Sequence, residues 1–220
     1  MHIDLAKPIL EKNDRTAARN RQLFDEKGVF VVDLMASPGS GKTSTILATI
    51  QALRDRYRIA VIEGDIASDV DARKIKAHGI PAVQVNTGGA CHLESEMIAR
   101  AVSVLDLDQL DLIILENVGN LVCPTDFYLG EHAKVMILSV PEGDDKPLKY
   151  PLMFQKSDVL AITKTDALPY FTFDLETCIE RVKKLNPAID VYPVSAKTGE
   201  GMAALEKRLL NALDQWKNNR

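Results

Sequence analysis

Residues 36–47 read ASPGSGKTSTIL and follow a short apolar run. They fit the phosphate-binding pattern G-x-x-x-x-G-K-[ST], with Ala36 in place of the first glycine. Glycines let the backbone wrap around an anion, so that several N–H groups and a helix N-terminus face it. The pattern predicts a nucleoside triphosphate site built from the residues of this loop: Gly39, Ser40, Gly41, Lys42, Thr43 and Ser44.

Four side chains are candidates for the chemistry at the phosphates. We expect Lys42 to reach the β- and γ-phosphates and the Thr43 hydroxyl to hold Mg²⁺. Asp65 and Glu116 end two other apolar runs and are predicted to complete the magnesium site. Phosphoryl transfer depends on such positioning, Mg²⁺ and positive charge, so Lys42, Asp65 and Glu116 are the predicted catalytic residues. The alternatives are a helix cap for Asp65 and hydrogen bonds to loop amides for Glu116.

A later pair of motifs predicts which base is bound. Residues 163–166 read TKTD and resemble the guanine motif N-K-x-D, with Thr163 in place of the asparagine whose amide braces the loop. A carboxylate at Asp166 accepts two hydrogen bonds from guanine that adenine does not offer. Residues 193–201, PVSAKTGEG, resemble the loop that supports guanine O6. We therefore predict a guanine site, rather than a solvated turn, formed by Lys164, Asp166, Ser195, Ala196 and Lys197.

Cysteine and histidine occur together in NTGGACHLESEM, residues 86–97, and a second cysteine occurs in ENVGNLVCPTD, residues 116–126. Each segment follows an apolar run, so Cys91, His92 and Cys123 are expected at one edge of a sheet as ligands for Zn²⁺ or Ni²⁺. We expect Cys91 and His92 to open a helix, which would lower the pKa of the thiol. A purely structural Cys-His pair is the alternative. Cys178 has helical spacing among apolar residues and is predicted to be a core residue.

The elements that must position these residues alternate along the chain. Continuous apolar runs predict strands at 29–35, 58–64, 80–85, 111–116, 134–140, 159–163 and 190–195. Helical patterns occupy 42–55, 68–77, 92–105, 174–185 and 200–216. This alternation predicts an α/β fold, a doubly wound and mostly parallel sheet with helices on both faces. Residues 1–28 are predicted to append a helix, at 4–27 and ended by Gly28, to a domain at 29–220.

Composition narrows the class of protein. The chain has 220 residues, 46% of them hydrophobic, and a net charge of −4 without a dominant Lys/Arg block, so nucleic acid is not an expected partner. No apolar run reaches the ~18 residues of a membrane span, and the first residues lack a signal-peptide core. Three cysteines do not make a disulfide framework, and we expect a cytoplasmic protein.

Five segments, in order SPGSGKT, EGDIASDVDA, NTGGACHLE, ENVGNLVCP and LSVPEGDDKPLKYP, resemble the HypB family from about residue 5 to the C-terminus. The resemblance implies a P-loop fold, slow GTP hydrolysis, and assistance to nickel insertion into [NiFe]-hydrogenase. It also implies a GTP-promoted homodimer with a Zn²⁺ or Ni²⁺ site at its interface, held by Cys91, His92 and Cys123. The implied partners are the nickel chaperone HypA and the hydrogenase large-subunit precursor. Some relatives begin with a cysteine-rich or histidine-rich nickel site, whereas residues 1–28 contain no cysteine and one histidine.

Three alternatives remain at this stage. The urease accessory GTPase UreG is a close relative, but its metal motif is Cys-Pro-His, which ACHLE does not match. A P-loop nucleotide kinase would need an arginine-rich lid, and no such segment lies between residues 116 and 164. A metal-binding regulatory domain that holds nucleotide without turnover is the non-enzymatic alternative, which a GTP hydrolysis assay distinguishes.

Overall fold

Seven strands form a single parallel sheet in the structure, a computed structural model that describes residues 6–220 and their side chains from Pro8 onward. The strands are β1 (Phe30–Ala36), β2 (Ile59–Asp65), β3 (Ala82–Asn86), β4 (Leu112–Glu116), β5 (Ala133–Ser139), β6 (Val159–Thr163) and β7 (Asp190–Pro193). Their order across the sheet is β3-β2-β4-β1-β5-β6-β7. Each predicted strand is confirmed to within a few residues.

Strand β1 lies at the centre of the sheet. Its Val32 is in register with Ile114 of β4 on one side and with Ala133 of β5 on the other. The chain runs outward from β1 in both directions, so the carboxyl end of β1 is a topological switch point, where open α/β sheets bind ligands. The predicted phosphate loop follows this strand directly.

Helices cover both faces of the sheet. The described α-helices are α1 (Ala6–Lys27), α2 (Lys42–Leu53), α3 (Val70–Ala77), α4 (Ser95–Val102), α5 (Lys146–Lys149), α6 (Pro151–Gln155), α7 (Leu175–Leu185) and α8 (Met202–Asn218). Helices α2, α3 and α8 pack on the face formed by Val32 and Leu34, whereas α1 and α4 pack on the face formed by Val31. Helices α6 and α7 cover Met35 on the same side as Val31. The doubly wound prediction is confirmed.

Helix α1 forms hydrogen bonds with the segments that follow the predicted metal ligands. Its buried Asn20 donates to the carbonyls of Ser95 (2.8 Å) and Leu129 (3.1 Å), and its Asn13 accepts the Ser95 N–H at 2.9 Å. Gly28, with φ of 72°, ends the helix as predicted. Residues 4 and 5 of the predicted helix lie outside the described residues, and a domain boundary at residue 28 remains a prediction.

Two parts of the secondary structure differ from the prediction. The helix expected at 92–105 begins only at Ser95, and the segment after β5 contains the short helices α5 and α6, which were not predicted. Pro147 and Pro151 lie in their first turns, and runs of four and five residues are too short to show helical periodicity. None of the helices within residues 6–220 is both long and apolar enough to span a membrane.

Candidate nucleotide and metal site

The phosphate loop connects β1 to the N-terminus of α2. Gly39 and Gly41 have φ angles of 73° and 97°, in the left-handed region that favours glycine. Helix α2 begins at Lys42, so its first free N–H groups face the space that the loop encloses. The Lys42 ammonium lies 3.5 Å from the Ser37 carbonyl, and burial lowers its pKa. The loop is already shaped to surround a phosphate chain.

Three acidic side chains, the carboxylate cluster, meet beside this loop: Glu63, Asp71 and Glu116. One carboxylate oxygen from each lies within 4.8 Å of the others. The Thr43 hydroxyl donates to Glu116 Oε1 at 2.8 Å, so two of the three predicted magnesium ligands are in contact. Burial raises the pKa of Glu63 and of Glu116 to about 7. Within the described residues, Glu63 Oε2 and Glu116 Oε2 are buried without a hydrogen-bond partner, which fits a cation site.

Asp65 lies in the same cavity, of about 700 Å³, as Lys42 and Glu116, but it is not part of the carboxylate cluster. Its Oδ1 accepts the N–H groups of Ala67 (2.9 Å) and Ser68 (2.7 Å), which closes the turn after β2. This is close to the capping role considered as an alternative, and a magnesium role for Asp65 remains a prediction.

Sequence reasoning missed the two other members of the cluster. Glu63 precedes Asp65 by two residues, so the two side chains share one face of β2. The position of Glu63 near the end of a strand could therefore have predicted it as a third carboxylate. Asp71 lies in the first turn of α3, where an acidic residue is equally explained by the helix dipole. Only the packing of α3 shows that it faces Glu116.

The predicted guanine motifs line a second cavity, the base corner. It has a volume of about 620 Å³, and its lining includes Thr163, Lys164, Asp166, Ala196 and Lys197. Ser195 donates its hydroxyl to Asp166 Oδ1 at 2.7 Å, and this bond is the main reason that the pKa of Asp166 is lowered. Lys197 lies 3.7 Å from Asp166 Oδ2. The two motifs, 29 residues apart, therefore hold one ionised carboxylate in place.

Thr163 braces the phosphate loop, contrary to the expectation that its replacement of asparagine would remove the brace. Its buried hydroxyl donates to the Ser40 carbonyl at 2.7 Å. The neighbouring Lys164, in the left-handed conformation with φ of 60°, donates to the Gly39 carbonyl at 2.7 Å. The base corner and the phosphate loop are thus connected by two hydrogen bonds.

The three predicted soft ligands, the metal trio, are brought together as expected: Cys91, His92 and Cys123. The two Sγ atoms are 3.1 Å apart, longer than the about 2.05 Å of a disulfide. Two thiolates sharing one Zn²⁺ at about 2.3 Å each lie roughly 3.7 Å apart, so a small adjustment admits an ion. His92 Nδ1 is 3.8 Å from Cys91 Sγ, and its ring packs 3.9 Å from Phe127.

The local structure around the metal trio corrects one prediction. Cys91 and His92 do not open a helix, because α4 begins three residues later than His92. Cys123 begins a single 3-10 turn, Cys123–Thr125, and its pKa is raised, first by the contact with the Cys91 thiol and then by burial. Cys91 therefore does not lie at the N-terminus of α4, contrary to the prediction. Cys178 is fully buried in α7, as predicted.

Comparison with known proteins identifies the family. Residues 30–193 match the nucleotide-binding domain of the CobW/HypB/UreG family. A hydrogenase maturation factor HypB from Azotobacter vinelandii is 54% identical over 194 residues, covering 88% of this chain and 64% of the relative. A probable hydrogenase maturation factor HypB from Methanocaldococcus jannaschii is 41% identical, with 90% of each chain covered. The chain belongs to the HypB branch of this family.

A solved HypB has the same fold. The crystal structure of HypB from Helicobacter pylori in complex with nickel has a TM-score of 0.88 and 38% sequence identity, and the match covers 93% of this chain and 96% of that one. The chain spans about two thirds of the length of the Azotobacter relatives, at 64% and 66%. The family assignment rests on the shared nucleotide-binding domain.

Proposed function

We propose that this HypB chain is a GTP-hydrolysing metallochaperone that binds Ni²⁺ or Zn²⁺ and assists nickel insertion into [NiFe]-hydrogenase. One observation carries the proposal: the metal trio and the carboxylate cluster both lie at the carboxyl edge of one parallel sheet. Soft sulfur and imidazole donors in one cluster suit Ni²⁺ or Zn²⁺, and oxygen donors in the other suit Mg²⁺. The chain thus combines a site for cargo metal with a site for a magnesium nucleotide.

In this proposal, hydrolysis uses positioning and charge. The loop N–H groups and Lys42 hold the β- and γ-phosphates, while Thr43 and Glu116, with Glu63 and Asp71, hold Mg²⁺. The ion stabilises the charge on the transferred phosphoryl group when it is bound. A bound cation would also offset the free-energy cost of burying the charged carboxylates of Glu63 and Glu116, whose pKa is raised.

The base corner selects guanine. Asp166 has one oxygen fixed by Ser195 and keeps its ionised form, so it accepts from the guanine N1–H and amino group. Lys164, held to the phosphate loop, lines the same cavity with its aliphatic chain, and Ala196 and Lys197 close the opposite side. ATP lacks the matching donors and is expected to be rejected.

The metal trio is an incomplete coordination shell. Three protein ligands leave one position of a tetrahedral ion open, and His92 Nε2 is buried without a hydrogen-bond partner among the described residues. A two-fold dimer that brings two trios together completes the shell, and we propose that bound GTP promotes this dimer. The resulting site is labile, as transfer of a cargo ion requires.

Two partners follow from the family to which the chain belongs. We propose the nickel chaperone HypA as one partner in metal transfer and the hydrogenase large-subunit precursor as the recipient, in the cytoplasm. The chain has a net charge of −4 without a dominant Lys/Arg block in its sequence, and nucleic acid and membrane are not part of the proposal.

The proposal is tested by measuring GTP hydrolysis and molecular mass by light scattering, each with GDP, GTP and a non-hydrolysable GTP analogue, with and without Ni²⁺. We expect slow GTP turnover, no ATP turnover, and dimer only with GTP or its analogue. A chain that transfers phosphate to a nucleoside monophosphate would instead be a kinase. A chain that binds GTP and Ni²⁺ without turnover would be the regulatory domain.

A further inference from the structure

Asn117 is a buried polar side chain between the two clusters, and both ends of its amide form hydrogen bonds. It follows Glu116 directly and is 1% exposed. Its Oδ1 accepts the N–H groups of Leu93 and Val118, both at 3.0 Å. Its Nδ2 donates to the buried carboxylate of Asp33 on β1, at 3.1 and 3.3 Å. Oxygen and nitrogen are both used, so the amide is fixed in one orientation.

The hydrogen bond from Leu93 N–H to Asn117 Oδ1 fixes the loop that carries Cys91 and His92, which is the first arm of the metal trio. Leu93 is the residue after His92, and its side chain is fully buried. A Cβ placed on Gly64, between Glu63 and Asp65 in β2, would lie 2.7 Å from Leu93 Cδ2, so Leu93 packs directly on that strand end. This arm is therefore attached to the strand ends that present Glu63 and Glu116.

The second arm, which carries Cys123, is attached to the phosphate loop. Asn120 N–H donates to the Ala36 carbonyl at 2.8 Å, and Asn120 Oδ1 accepts the N–H groups of Val122 (2.7 Å) and Cys123 (3.4 Å). A Cβ on Gly119 would lie 2.7 Å from the backbone nitrogen of Pro38. Glycine is needed at this position because the two loops touch backbone to backbone.

We infer that Asn117 is the positioning residue that couples the nucleotide site to the metal trio, an inference that rests on the proposed function. Glu63, Glu116 and Asp71 would hold a cation together, which would tie the ends of β2 and β4 and the first turn of α3 to one point. Asn117 directly follows the end of β4, and its fully bonded amide passes a shift of that strand end to the Leu93 backbone. The arm that carries Cys123 instead moves with the phosphate loop, to which it is attached through Asn120. Nucleotide state thereby sets the distance between Cys91-His92 and Cys123.

The test compares Ni²⁺ and Zn²⁺ affinity, by competition with a chromophoric chelator, in the GDP state and with a non-hydrolysable GTP analogue plus Mg²⁺. In the wild-type chain we expect the two states to differ by about fivefold or more. In Asn117→Ala we expect a ratio within about twofold of one, with metal and GDP still bound. By linkage, the effect of metal on nucleotide affinity disappears to the same extent.

Asn86→Ala is the matched control, because Asn86 Oδ1 accepts Gly88 N–H at 2.9 Å in the same loop without touching β4. It should keep the wild-type ratio. A folded Asn117→Ala that also keeps it overturns the inference and leaves the proposed function standing. A wild-type chain with no difference between states overturns the inference together with the nucleotide switch.

A second measurement decides the matter if Asn117→Ala does not fold. Hydrogen exchange in the wild-type chain reports on the amides of Leu93 and Val118, which donate to Asn117. We expect their exchange to differ between the GDP and GTP-analogue states, while amides on α8 stay constant. Equal exchange at both amides in the two states would overturn the inference.

Discussion

The base corner and the two cation clusters lie at the same sheet edge, yet key side chains in the two regions differ in their hydrogen bonding. Asp166, Thr163 and Lys164 each have a protein partner at 2.7 Å. In contrast, Glu116 Oε2 and His92 Nε2 are buried without a hydrogen-bond partner among the described residues. Burying an unpaired polar atom costs about 1–3 kcal/mol, so such atoms persist only where something else satisfies them.

The difference shows what each region is built to do. In the proposed function, a guanine ring meets hydrogen-bond partners in the base corner that are already fixed, and binding orders few side chains. The cation clusters hold possible ligand atoms close together and leave some of them without a hydrogen-bond partner, and in the proposed function an ion supplies that partner. Variants should therefore lose selectivity in the first region and lose an ion, or turnover, in the second.

The largest expected effect is at the phosphates. Lys42→Ala should reduce GTP turnover at least about 100-fold, to an unmeasurable rate, because the buried ammonium stabilises charge on the transferred group. A phosphate-release assay measures it, with circular dichroism to confirm folding. Lys76→Ala is the control, since Lys76 is an exposed lysine of α3 outside the cavity. A folded Lys42 variant with near-normal turnover would remove the phosphate-loop assignment.

The next effect is on the cargo metal. Cys91→Ala and Cys123→Ala should each weaken Ni²⁺ and Zn²⁺ binding by at least about 100-fold, because each removes one of three protein ligands. Calorimetric titration measures it. Cys178→Ala should bind metal normally and lose only stability, since that thiol is buried in the core of α7. Unchanged binding by both Cys91 and Cys123 variants would make the trio structural.

A smaller effect is expected at the base corner, where hydrogen bonds are exchanged rather than lost. Asp166→Asn should weaken GTP binding roughly 30- to 100-fold, or about 2–2.7 kcal/mol, because an amide replaces the carboxylate that faces two guanine donors. The variant should bind xanthosine triphosphate better, because xanthine offers an acceptor where guanine has its amino donor. Competition among GTP, ATP and xanthosine triphosphate measures the change. Equal competition by ATP in the wild-type chain would refute guanine selection.

The last effect is on stability rather than on ligand binding, lies outside both regions, and sets the background for any pH experiment on them. Burial lowers the pKa of His132 to about 4, below its usual 6.5, while its ring packs on Phe30 and Trp216. Between these values the unfolded chain binds more protons, so stability falls as pH drops from 6.5 to 4, by at most about 3 kcal/mol.

Melting curves over this pH range check the expectation. His132→Gln removes the titrating group, so its loss of stability on acidification should be shallower than that of the wild-type chain. Its stability at neutral pH should also be lower, because it loses ring packing and alters the bonds to Val31 N–H and Asp25. Parallel profiles for the two chains would show that His132 does not carry the acid sensitivity.

Local patterns predicted the fold and most of the candidate site. Strands buried on both faces must be continuously apolar, so each strand could be read from its own residues. The phosphate loop, the base motifs and the metal trio were predictable because each ligand follows a strand, and parallel strands bring their carboxyl ends to one edge. The same reasoning found Cys178 to be a core residue.

The sequence by itself determined the order of the elements, the residue types of the candidate ligands, and their position at the carboxyl edge of the sheet. These features depend on local periodicity and on the direction of parallel strands. Only the tertiary structure decided which partners meet across the chain. It placed Asp71 against Glu116, gave Thr163 a bond to Ser40, began α4 after His92, and joined Leu93 to Asn117. Such contacts depend on the angle and distance between packed elements, which no single segment of the sequence specifies.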